Sequence, residues 1–252
     1  MSIKWFSLIR ITGLLLVLLY HFFQTIFPGG FFGVDVFFTF SGFLITALLI
    51  EEFSKNHEIN LIGFFRRRFY RIVPPVVLMV LVTMPFTFLV RQDYVAGIGG
   101  QIAGVLGFMT NFYELLTGGS YESQFIPHLF VHNWSLAVEV HYYILWGLAV
   151  WFLSKQAKSN GQLKGMVFLL SAAAFLISFF SMFIGSFLVT TYYSVYFSSF
   201  THVYQFFSGS ILATIVGVRQ TTSLVKQLDN IWDLRKKLLA FEVGFGFLLI
   251  LT

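Results

Sequence analysis

The chain has 252 residues, a formal net charge of +5 and no cysteine. Hydrophobic residues make up 57% of it and charged residues only 11%, against roughly half and a quarter in soluble domains, which excludes an ordinary soluble fold. The missing cysteines exclude disulfide frameworks, thiol nucleophiles and thiolate metal sites. The basic residues lie in loops between apolar runs, so the positive charge speaks for membrane orientation and against nucleic acid.

Apolar segments fall near 5–27, 31–50, 72–90, 95–116, 134–153, 166–189, 201–218 and 238–252. A run of about 20 such residues crosses a hydrocarbon core of about 30 Å as a helix. The runs are too continuous for strand alternation, and only helices or closed barrels satisfy their backbone in lipid. The expected fold is an all-α, polytopic transmembrane helical bundle. The first segment continues Phe22-Phe23-Gln24-Thr25, with no small-residue cleavage site, and reads as a retained span. The last segment has only 15 residues before Thr252, so residues 1–252 read as one incomplete membrane domain with no extracytoplasmic domain attached.

Basic residues set the expected topology. If every segment crossed from a cytoplasmic N-terminus, six Lys and Arg would lie inside and nine outside, against the positive-inside rule. If 95–116 instead dips in and returns, the count becomes fourteen inside and one outside, with Arg10 within a span. Gly97, Gly99, Gly100, Gly104 and Gly107 would allow the bends of such a re-entrant segment. The pair Gly100 and Gly104 also fits the packing face of a full span. The expected protein is a multi-pass cell-membrane protein with basic loops 51–71, 154–165 and 219–237 in the cytoplasm.

Ionisable residues inside spans are costly and mark function. Arg10 and His21 are eleven residues apart, about 16 Å along one helical face; snorkelling to the interface would also account for Arg10. Asp35 follows the Pro28-Gly29 turn by as many residues as His21 precedes it, so a hairpin would bring the two to similar depth. A carboxylate there could orient an imidazole general base, or simply cap a helix. Glu139, one and a half turns into the segment starting at Trp134, would join them near one plane below the outer surface. In the run Arg66-Arg67-Arg68-Phe69-Tyr70-Arg71, guanidinium forks suit phosphate oxygens, and inner-leaflet anchoring explains the same run. His128 and His132 alone make no metal site. G-x-S-x-G, H-E-x-x-H and P-loop signatures are absent from the sequence.

Together these residues resemble the acyltransferase-3 family of membrane O-acyltransferases. Arg10 and His21 match its R-x10-H signature, FFGVDVFFTFSGFLIT (31–46) its second-helix motif, and Arg68 and Arg71 with IVPP its cytoplasmic R-x-x-R element. HNWSLAVEVHYYILW (132–146) resembles its W-S-L-x-V-E segment, where many members continue Glu-Gln-Phe-Tyr. FTHVYQFFSGSILATIVG (200–217) agrees with the peptidoglycan O-acetyltransferase subgroup, with His202 near a position where many relatives carry Arg. The resemblance implies transfer of an acyl group, usually acetyl, from cytoplasmic acyl-CoA to an extracytoplasmic glycan hydroxyl, without a metal. It implies Arg68 and Arg71 on the acetyl-CoA phosphates, Arg10 on the thioester, and His21 as general base oriented by Asp35 or Glu139. Buried charges mark transport pathways too, so a non-catalytic transporter or acyl-group conduit is the competing expectation.

Overall fold

The computed structural model describes residues 4–23, 25–89, 95–117, 128–189 and 192–216. In chain order the helices are α1 (Lys4–Phe22), α2 (Gly33–Asn56), α3 (Leu61–Thr83), α4 (Ile98–Leu106), α5 (Thr110–Thr117), α6 (Trp134–Gln156), α7 (Asn160–Leu188), α8 (Tyr192–Tyr196) and α9 (Tyr204–Ile215). No strand occurs among the described residues. Four stretches are long and apolar enough to cross a membrane: Gly33–Asn56, Leu61–Thr87, Val131–Gln156 and Asn160–Leu188. The all-α membrane architecture expected from composition is the one observed. The segments 219–237 and 238–252 lie outside the described residues.

The chain divides into two compact units. The first takes residues 1–55, 158–172 and 205–252, and small residues make its contacts. A 3-10 turn, Pro28–Phe32, joins α1 to α2. A Cβ at Gly33 would stand 2.6 Å from the Gly13 carbonyl oxygen, and one at Gly30 would stand 2.5 Å from that of Leu16. Further along α2, a Cβ at Gly42 would strike the Phe206 carbonyl, and one at Gly209 of α9 would strike the Thr39 carbonyl. Backbones that approach this closely are how helices associate where lipid is as apolar as leucine. A hydrogen bond and a ring stack reinforce the crossing: Thr46 Oγ1 donates to Ser210 Oγ at 2.9 Å, and Phe38 stacks on Phe206 at 4.3 Å.

The second unit takes residues 56–157 and 173–204. Its α3 begins earlier than hydropathy suggests. The Asn60 side chain accepts from the Gly63 amide at 2.8 Å and caps the helix. Residues 66–71 therefore ride on α3 and not in a loop, because arginine stems are aliphatic and leave the helical backbone undisturbed. Pro74 and Pro75 lie inside α3 and bring no N–H to the carbonyls of Tyr70 and Arg71. Val76, Val80, Val105 and Phe130 form a core joining α3, α4 and the approach to α6.

The segment 95–116 is broken into α4 and α5. They are 9 and 8 residues long, about 13 and 12 Å, so neither crosses a bilayer core. Gly97 starts α4 at φ 62°, and Phe108 between the two helices takes φ 54°. Gly100 and Gly104 face Tyr113 and Thr110 of α5, so this glycine pair packs on its own returning limb.

Candidate active site

In the second unit, α3 and α6 enclose a cleft of about 220 Å³ lined chiefly by Arg68, Arg71, Pro75, Leu136, Glu139 and Tyr143. On α6, Glu139 and Tyr143 are four residues apart and share a face; the Tyr143 hydroxyl donates to Glu139 Oε1. From α3, Arg68 places its guanidinium carbon 5.6 Å from the Tyr143 ring centre and 5.5 Å from that of Phe64. Its Nε is buried with no hydrogen-bond partner, a donor that a bound anion would satisfy. Two guanidinium groups against one carboxylate leave the cleft with excess positive charge. At about 220 Å³ it falls below the roughly 300 Å³ at which small-molecule sites begin, so it suits one end of a larger ligand.

This arrangement unites residues that sequence reasoning separated. Arg68 and Arg71 were expected at the cytoplasmic surface and Glu139 in the outer third. Because α3 starts at Leu61, Arg71 lies about 15 Å along it, deep enough to line the same cleft as Glu139.

The remaining expected residues belong to the first unit. Arg10 lies on the backbone of α1, and its side chain is outside the described residues. His21, in the last turn of α1, is exposed on the face it shares with Leu14 and Leu18. Its Nδ1 donates to the Val17 carbonyl at 2.7 Å; a carbonyl can only accept, so the neutral ring keeps its lone pair on Nε2. Asp35, in the first turn of α2, is half-buried and accepts from Gln205 Nε2 at 2.9 Å. Gln205 Oε1 is buried without a partner. Thus Asp35 is tied to α9, a link sequence separation concealed, and Glu139 belongs to the other unit.

Two further histidines of the second unit are accounted for locally. His128 Nδ1 donates to both carboxylate oxygens of Glu114 at 3.0 Å, a buried pair that joins α5 to the approach to α6. Burial pushes the Glu114 carboxyl up, while the hydrogen bond and charge of His128 pull it down. His202 is buried, donates from Nδ1 to the Tyr196 carbonyl at 2.8 Å and stacks on Trp134 at 5.5 Å. Tyr143 is the cleft residue that sequence reasoning missed; its i, i+4 spacing from Glu139 was the available signal. Among the described residues no three His, Cys, Asp or Glu side chains gather as metal ligands would.

A membrane-embedded helical domain with a cationic, carboxylate-bearing cleft agrees with what known proteins show. The acyltransferase-3 family model, described as an acyltransferase domain, matches residues 3–249. The chain belongs to this family. It is 31% identical over 199 residues to the O-acetyltransferase OatA of Staphylococcus aureus strain NCTC 8325 / PS 47, covering 79% of this chain and 32% of that protein. OatA of strain COL matches to the same extent. A provisionally named O-acetyltransferase of strain COL is 33% identical over 136 residues, 54% of this chain and 22% of that protein. The chain thus spans about a third, or less, of the length of these curated relatives. No solved structure matches.

Proposed function

We propose that the chain is the membrane domain of an O-acetyltransferase that takes an acetyl group from cytoplasmic acetyl-CoA and delivers it to a hydroxyl of an extracytoplasmic glycan such as peptidoglycan. The observation that carries this reading is the α3–α6 cleft, where Arg68 and Arg71 meet Glu139 and Tyr143. Family membership and relatives named as O-acetyltransferases support it. Arg68 and Arg71 engage donor phosphate oxygens, for which planar guanidinium groups are suited. Arg10 orients the thioester or offsets negative charge developing on its carbonyl oxygen. His21 receives the acceptor's proton at Nε2, its ring oriented by the Nδ1 hydrogen bond to the Val17 carbonyl. The N-terminus is cytoplasmic, and α4–α5 enters and leaves on the outer side.

The test is transfer of labelled acetyl from acetyl-CoA to glycan by the protein in membranes. Arg71→Ala is expected to raise the donor KM about tenfold, the loss of one charge-assisted hydrogen bond. His21→Ala is expected to abolish transfer with donor binding retained. Full transfer by correctly inserted His21→Ala protein would remove the base assignment, and a donor KM unmoved by Arg68→Ala and Arg71→Ala would remove the phosphate assignment.

A further inference from the structure

Helix α6 is polar on two sides. Glu139 and Tyr143 look onto α3, whereas His141, two residues and about 200° further round, looks the other way. There its ring lies 5.4 Å from Phe112 of α5, and its Nδ1 lies 2.9 Å from Ser199 Oγ in the segment after α8. The same oxygen accepts from Asn111 Nδ2 at 2.9 Å, and that amide also donates to the Phe197 carbonyl at 3.1 Å. Asn111 is fully buried, while Ser199 and His141 are each partly exposed.

The Asn111 amide can only donate to Ser199, so the hydroxyl proton has the His141 Nδ1 lone pair as its acceptor in the Nε2–H tautomer. A serine hydroxyl within hydrogen-bond reach of an imidazole base is the pairing from which an activated oxygen nucleophile is made. Packing alone does not call for it. Asn111 by itself ties α5 to Phe197 and Ser199, and the imidazole adds a proton acceptor to an oxygen already bonded. Polar groups exceed structural need here in another respect: Asn111 Oδ1 and Thr110 Oγ1 are both buried without partners.

We propose that Ser199 is a relay nucleophile, with His141 as its general base, that carries an acyl group between a thioester donor and a hydroxyl acceptor. This rests on the acyltransferase reading above. In the first step Ser199 Oγ forms a bond to the thioester carbonyl carbon as its proton passes to His141 Nδ1. The C–S bond breaks and the departing thiolate takes that proton, giving a free thiol and an acyl-serine ester. In the second step an acceptor hydroxyl attacks the ester carbonyl and gives up its proton. Ser199 leaves and recovers that proton, and the acceptor holds the acyl group.

The test incubates the purified full chain in lipid discs with acetyl-CoA and, separately, with p-nitrophenyl acetate, an activated ester that bypasses donor recognition. Acid quenching and peptide mass analysis follow. One acetyl group is expected on the peptide carrying Ser199, absent in Ser199→Ala and formed about tenfold more slowly in His141→Gln. Labelling of Ser199 by the ester alone would uphold the relay and remove the CoA donor. Glycan transfer at the native rate by Ser199→Ala, or an acetyl on another residue that persists in both variants, would overturn the relay and leave the acyltransferase reading standing. Because the chain has no cysteine, Ser199→Cys supplies a measure independent of turnover. Its alkylation by iodoacetamide is expected to be about tenfold faster than in the Ser199→Cys/His141→Gln double variant. Equal rates would overturn the assignment of His141 as base.

Discussion

Two side-chain pairs of the second unit carry opposite lessons. Tyr143 donates to Glu139 and lies beneath Arg68, so Tyr143→Phe keeps the ring for the cation and loses only the hydroxyl. We expect turnover to fall about tenfold with little change in donor KM, as befits a group that positions a carboxylate; steady-state kinetics would show the split. Glu114 and His128 form a pair whose loss should appear in stability. Burial alone holds the Glu114 carboxyl above its ordinary value, and His128 opposes that rise. Removing His128 leaves an acid whose folded-state pKa is higher still. Its contribution is kept at acid pH and lost as pH rises through that raised value. Unfolding of His128→Ala in detergent should show little change at acid pH and a loss that grows, to roughly 3 kcal/mol, as pH rises through that raised value. Adding Glu114→Gln should flatten the difference.

At the scale of elements, glycine contacts decide what can be changed. Gly42→Ala and Gly209→Ala each drive a Cβ into a backbone carbonyl of the opposing helix, and should cost about 1–3 kcal/mol by overpacking. Gly99 in α4 faces open space, so Gly99→Ala should gain up to about 1 kcal/mol of helix propensity. Thermal unfolding of the variants in one detergent would rank them. Most spans were legible because runs near 31–50, 134–153 and 166–189 are apolar enough to outweigh any local signal, and α2, α6 and α7 cover them. The start of α3 was hidden, since four arginines depress hydropathy across the turns where they ride the helix. Of the site, the sequence displays the ionisable residues themselves. The i, i+4 pair on α6 was there to be read, but Gln205 against Asp35 and Ser199 against His141 are tertiary pairings at long separation, which neither period nor spacing encodes.

For the whole molecule, the helical hairpin α4–α5 makes a prediction about sidedness. If α4–α5 returns to the side it left, as proposed above, the connections after α2 and after α6 will face one side of the membrane. In a chain without native cysteine, Glu58→Cys and Gln156→Cys should therefore react with an impermeant maleimide from the same side of sealed vesicles, and His132→Cys from the opposite side. Labelling of Glu58→Cys and Gln156→Cys from opposite sides would mean that 95–116 crosses. The two polar faces of α6 have a further consequence. Glu139 and His141 are rungs of one stiff rod only about 3 Å apart along its axis. A slide or roll of that rod to grip a guest on one flank must displace the chemistry on the other flank by a comparable amount. On the proposals above, occupancy of one flank would then be felt on the other across the width of a single helix.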